Sequence, residues 1–138
     1  MFIVNVEGAI YKEGKWLLIR RSEKEEHAGG CLSLVGGQVE KESAASSNIL
    51  ERTLIREVDE EIGIEVSNLS YVNSSSFITD SGIHVVDIVF LCKKHIGEAF
   101  AKGSDEVDEV VWMTTQEILN HMDLPIYLKE NIKLADQL

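Results

Sequence analysis

Proline occurs once and cysteine twice in the 138 residues, and no apolar run approaches the ~18 residues of a membrane span. A single proline, Pro125, excludes proline-rich linkers and polyproline segments. Cys31 and Cys92 make neither a CxxC pair nor a disulfide framework, so a zinc ribbon and an oxidised secreted scaffold are excluded. Basic residues are scarce. Thirteen Lys and Arg face 24 Asp and Glu, for a net charge of -11. Such a surface repels phosphate backbones and anionic lipid, so neither a nucleic-acid polymer nor a membrane is an expected partner. An acidic chain can still handle a small anionic substrate when a metal cation stands between them. His27, His84, His95 and His121 show no paired-ligand spacing, which argues against zinc. The start, residues 1–7, has no basic region and meets a charge at Glu7, so it reads poorly as a signal peptide. Together with uncommitted cysteines this gives the expectation of a reduced, cytoplasmic setting.

What is present is ordinary globular composition, with 44% hydrophobic and 27% charged residues. Disorder and low complexity are excluded, and the length suits one domain over residues 1–138 with a single sizeable core. Residues 2–11 and 16–19 read as two strands joined by the turn Lys12-Glu13-Gly14-Lys15, a hairpin. Residues 21–31 read as an exposed loop. After the apolar run 32–35 comes Gly36-Gly37, where the backbone can turn sharply or approach something closely. Ser46, Ser47 and Asn48 are N-cap candidates for a helix carrying Leu50, Leu54, Val58 and Ile62 at four-residue spacing, with Gly63 as its stop. Residues 69–79 and 83–92 read as strands. The second is apolar on nearly both faces and so belongs at the centre of a sheet. Ser74-Ser75-Ser76 reads as a flexible or bulged segment of the first. A strand near residues 109–113 leads to a capping box at Thr114-Thr115-Gln116-Glu117, and Pro125 opens a last helix with Leu124, Leu128 and Ile132 on one side. Trp16 and Trp112 read as core or pocket-wall residues. The order implies a mixed α/β (α+β) sandwich.

The chemistry concentrates on Arg56-Glu57-Val58-Asp59-Glu60-Glu61-Ile62-Gly63. With Glu57 as origin, helix geometry puts Glu61 near about 40° and Glu60 near about -60°, while the apolar stripe runs from about 20° to 140°. The carboxylates therefore lie along the edge of the buried stripe. Like charges at this spacing repel, and no Lys or Arg follows any of the three four residues later. A hard divalent cation, Mg²⁺ or Mn²⁺, would relieve the repulsion and favours phosphate oxygens as further ligands. The competing reading is a solvated acidic helix face. A close-approach glycine pair on one side of the helix and a one-sided carboxylate cluster on the other favour a metal-phosphate site.

These residues resemble the Nudix hydrolase signature, Gly-x5-Glu-x7-Arg-Glu-U-x-Glu-Glu-x-Gly-U, where U is bulky and aliphatic. Arg56 to Ile64 matches the second half at every specified position. The first half departs. Five residues after Gly37 stands Ser43 instead of glutamate, with Glu42 and Glu40 as nearby alternatives, and the following spacer is twelve residues where the pattern has seven. The resemblance implies a mixed sheet sandwiched between helices. It further implies a small MutT-like enzyme that hydrolyses the pyrophosphate linkage of a nucleoside diphosphate joined to another group. By the same resemblance, Glu57, Glu60, Glu61 and the Gly36 carbonyl are metal ligands, Glu57 can activate water, and Arg56 orients the box through carboxylates, with Glu42 as its expected partner. Glu106 is the expected general base if that base comes from a later loop. A nucleotide or other pyrophosphate is the expected small-molecule partner, and a homodimer the assembly to consider. The departures in the first half keep a second possibility, a non-catalytic Nudix-fold module that binds or senses a nucleotide.

Overall fold

The computed structural model describes residues 1–25 and 29–138. His27 lies outside the described residues. The elements run β1 (Phe2–Lys12), β2 (Lys15–Arg21), β3 (Leu32–Ser33), β4 (Val35–Gln38), α1 (Ile49–Ile62), β5 (Glu65–Ile78), β6 (His84–Ile96), β7 (Val107–Met113), α2 (Thr115–Asn120) and α3 (Ile126–Ala135). Strands follow the order β3-β2-β1-β6-β5, with β4 also paired to β1 and β7 to β2. The sheet is mixed: β1 runs parallel to β6, whereas its pairings with β2 and β4 are antiparallel. The doubly apolar β6 is indeed interior, between β1 and β5.

Alternation along β1 sends successive side chains to opposite faces and so creates two cores. On one face Val6 and Ile10 meet Leu54, Val58 and Ile62 of α1. On the other Ala9, with Val89 and Leu91 of β6, meets Ile118 of α2 and Leu128, Ile132 and Ala135 of α3. Burying one such aliphatic side chain contributes about 1.5–3 kcal/mol. These contacts clamp the sheet between helices. Trp16 is core, and Trp112 packs partly buried against the α1 side.

Local signals in the sequence are realised with three corrections. The hairpin pairs Lys12 with Lys15, Gly63 ends α1 in the left-handed region at φ 71°, and Thr114 and Glu117 form the reciprocal capping box. Asn48 is the N-cap of α1, yet its left-handed backbone leaves it without a side-chain cap bond. Ser46 turns away to meet Glu42 and Arg52. Pro125 precedes α3 as its N-cap, its ψ of 152° being extended. The irregularity of β5 falls at Val72, between the Tyr71–Phe90 and Asn73–Val89 pairs, while Ser74, Ser75 and Ser76 pair regularly with Ile88, Asp87 and Val86. Small hydroxyl side chains do not interrupt a ladder whose bonds are all backbone.

Candidate active site

The site is assembled where α1 and β4 approach each other. In β4, Gly37 pairs with Val6 and Gly36 with Glu7 of β1. A Cβ on Gly36 would stand 2.0 Å from the Val6 carbonyl oxygen, and one on Gly37 would stand 2.5 Å from Glu57 Cδ. Close approach, not a turn, is thus what the glycine pair serves. It lets the Glu57 side chain lie directly on the β4 backbone.

The helix orders its glutamates by angle, as the stripe geometry requires. Glu61, nearest the stripe, is 4% exposed, Glu57 is half-buried and Glu60 is exposed. A third carboxylate arrives from the segment after β6. Its Phe100 amide donates to the Ile62 carbonyl, and the Lys102 and Gly103 amides donate to the Glu61 carbonyl, satisfying the open carbonyls at the end of α1. A turn closed from Gly103 to Glu106 and Val107 then presents Glu106, whose own carbonyl accepts from the Ser22 amide. Oxygens of Glu57, Glu61 and Glu106 fall within 4.8 Å of one another. Glu60 is outside this group, although its charge acts on both Glu57 and Glu106.

Three carboxylates at this range hold their protons strongly. Burial, then the charges of Glu57 and Glu106, push the Glu61 carboxyl up to about 9. Burial also raises Glu57 and Glu106, with Arg56 opposing the shift at Glu57. Glu61 Oε2 is buried with no hydrogen-bond partner among the described residues. An orphaned buried oxygen inside an all-carboxylate cluster is the donor set a hard divalent cation takes, so the residues fit such an ion.

The cluster opens into a cleft of about 1290 Å³ that also reaches Gly36, Gly37, Arg21 and the polar residues Asn5, Glu7 and Asp87 of β1 and β6. Arg21 acts on Glu7, Glu61 and Glu106, lowering the pull of each on a proton. Arg21, Asn5, Glu7 and Asp87 were not among the residues singled out from sequence. A signal existed for two of them, since Glu7 and Asp87 each interrupt a strand that is otherwise apolar on that face.

Glu42 corrects one expectation. Its carboxylate binds Arg52 through both guanidinium nitrogens at 3.1 Å and also meets Ser46, which lowers it to about 2. It does not reach Arg56, whose Nη2 instead lies 3.4 Å from Glu57 Oε1. Arg52 stands one helical turn before Arg56, nearer the chain that leads into α1, and so captures the carboxylate first.

The NUDIX domain family matches residues 1–133 of this chain. The chain belongs to the Nudix hydrolase family. It is 32% identical over 130 residues to the Nudix hydrolase YfcD of Escherichia coli (strain K12), covering 87% of this chain and 68% of that protein. A more distant relative is the NAD-capped RNA hydrolase NudC of Photobacterium profundum, 29% identical over 110 residues, which are 80% of this chain and 37% of NudC. Among solved structures, the MutT protein of Methanosarcina mazei Go1 superposes with a TM-score of 0.84 at 28% identity, covering 99% of this chain and 94% of that one. The MutT Nudix hydrolase of Burkholderia pseudomallei gives 0.81 at 25% identity, with coverages of 97% and 98%. Nudix hydrolases act on nucleoside diphosphates linked to other groups, and Arg56 to Ile64 of α1 is the family signature in this chain.

Proposed function

We propose that this protein hydrolyses the pyrophosphate linkage of a nucleoside diphosphate joined to another group, with Mg²⁺ or Mn²⁺ as cofactor. The observation that carries the reading is the convergence of Glu57, Glu61 and Glu106 within 4.8 Å at the mouth of a cleft, with a Glu61 oxygen left unpaired. Glu57, Glu60, Glu61 and the Gly36 carbonyl would hold the metal. Bound there, it would supply neutralisation of the pyrophosphate and acidification of a water. Glu106, on a loop and less buried than Glu61, is the carboxylate best placed to accept the proton of the attacking water. A raised affinity for protons suits a general base working near neutrality. Arg56 holds Glu57, and Arg21 brings a cation to an otherwise acidic cleft. Free Cys31 and Cys92 fit a reducing, cytoplasmic compartment.

A second reading, a nucleotide sensor without turnover, draws support from Glu42. The only glutamate close to the first signature position is committed to Arg52 and is absent from the carboxylate cluster. One experiment separates the two: incubation with a panel of nucleoside triphosphates and nucleoside-diphosphate conjugates, with Mg²⁺ or Mn²⁺ and with chelator. Chelator-sensitive release of a nucleoside monophosphate or pyrophosphate supports hydrolysis. Saturable binding without turnover supports the sensor.

A further inference from the structure

The same cleft holds a second group of acceptors that the hydrolytic reading does not use. Asn5 and Glu7 share the face of β1 that carries Ala9, and parallel pairing sets Asp87 of β6 beside Asn5. Ser75 of β5 pairs with Asp87 from the other side. Higher on this face Ala9, Val89 and Leu91 are covered by α3. At the level of Asn5, Glu7 and Asp87 the sheet instead forms the floor of the cleft.

Asp87 is 1% exposed, and neither of its oxygens meets a donor among the described residues, although Asn5 and Glu7 lie beside it. The Ser75 hydroxyl is likewise buried and unpartnered. A buried carboxyl without donors lowers stability, and an aliphatic residue at this central strand position would be the more stable choice. Groups that weaken a fold in this way and face a cleft are those a ligand completes. The walls fix the shape of that ligand. Phe77 and Tyr127 stack at 5.6 Å with their rings 10° from parallel, and Leu34 and Val85 add apolar surface. Flat aromatic and aliphatic walls over a floor of hydrogen-bond acceptors suit a planar group that brings its own donors.

We propose that Asn5, Glu7 and Asp87 form a recognition subsite that takes a planar nitrogen heterocycle through two adjacent N–H donors, received by the Asp87 carboxyl as a fork. The heterocycle is the part of the substrate beyond the diphosphate, so the proposal rests on the nucleotide reading above, with the glutamate cluster at one region of the cleft and this floor at another. Asp87 and Glu7 set specificity here and take no part in bond breaking.

The test compares guanosine monophosphate with inosine monophosphate, which differ only in the amino group adjacent to the ring N–H, by calorimetric titration of the wild-type protein, Asp87→Asn and Glu7→Gln. Wild type is expected to bind the guanosine nucleotide about 10-fold more tightly, one good donor-acceptor pair being worth roughly that factor. Asp87→Asn should abolish the preference, and Glu7→Gln should reduce it. Melting supplies an independent readout: Asp87→Asn and Asp87→Val should both unfold at higher temperature than wild type. The proposal is overturned if wild type binds the two nucleotides equally or not at all, if the preference survives Asp87→Asn, or if both Asp87 variants melt lower. Turnover is not read in this titration. Loss of the hydrolytic reading with the preference intact, or the reverse, would therefore be distinguishable.

Discussion

The side chain of Glu57 lies against the backbone of Gly37, so that a Cβ at Gly37 would come within 2.5 Å of Glu57 Cδ and 2.8 Å of its Oε2. Gly36, one residue earlier, is blocked by something different, the Val6 carbonyl oxygen at 2.0 Å. The two neighbouring glycines therefore protect different things. Gly37→Ala is expected to push Glu57 aside and to lower metal-dependent turnover about 100-fold, since displacement of a reacting group by an ångström has that order of effect. Its melting temperature should change little, because the flexible carboxylate end can yield. Gly36→Ala must instead move β1 or β4 backbone and should lose about 1–3 kcal/mol or more in chemical denaturation. Equal effects of the two substitutions on stability would contradict this division.

Much of this arrangement is legible in the chain itself. The four-residue spacing of Leu50, Leu54, Val58 and Ile62 fixes which side of α1 is buried, and the angle of each glutamate from that stripe then orders Glu61, Glu57 and Glu60 by exposure. Periodicity carries this information because both features belong to one helix. Glu106 joining Glu57 and Glu61 depends on a segment some forty residues later docking its amides on the end of α1, which no local pattern encodes. The pairing of Glu42 with Arg52, not Arg56, turns on how the longer spacer folds before the helix. Asp87 was visible as an acidic residue in an apolar strand. Its partners Asn5 and Glu7 come from a strand some eighty residues earlier, and only parallel pairing reveals them.

Glu61 and Glu60 should respond differently to loss of charge. Both Glu61→Gln and Glu60→Gln are expected to lower turnover by about 100-fold or more, as removal of a group that stabilises developing charge does. Only Glu61→Gln, however, removes a buried carboxylate facing Glu57 and Glu106. It should raise the melting temperature of the metal-free protein, whereas Glu60→Gln, exposed to solvent, should leave it nearly unchanged. Thermal melts in chelator, run beside the activity assay, check both halves. Full activity in either variant would remove that residue from the metal site.

The carboxylate cluster also sets a pH dependence. Glu61 in the fold binds its proton up to about 9, against an ordinary value of 4.5. Between these values the folded protein holds more protons than the unfolded chain, so metal-free stability declines as pH rises through that window. Glu57 and Glu106, also raised, act in the same direction. A divalent cation binds the ionised carboxylates and stabilises the fold by mass action, and its binding displaces protons. Melting curves across this range should show the chelated protein losing stability toward alkaline pH. The gain in melting temperature on adding Mg²⁺ should be larger near about pH 8.5 than near about pH 6. A chelated protein that becomes more stable with rising pH would be inconsistent with the cluster.

Glu42 and Glu106 offer the sharpest contrast between sequence position and spatial position. Glu42 lies near the first signature glutamate, but its carboxylate is held by Arg52 and Ser46 at the surface. Glu106 lies outside the signature altogether and stands with Glu57 and Glu61. Glu106→Gln preserves shape and removes the proton acceptor, so kcat should fall by about 10²–10⁴-fold with KM little changed. Glu42→Gln should leave kcat within a few-fold. Its effect should appear instead as acid sensitivity: the Arg52 pair holds Glu42 down to about 2, so the stability it contributes is present above the ordinary carboxylate range and fades as pH falls toward that value. Steady-state kinetics on the two variants, with one substrate from the panel, decides the matter. A loss of kcat in Glu42→Gln matching that in Glu106→Gln would return the catalytic base to the first half of the signature.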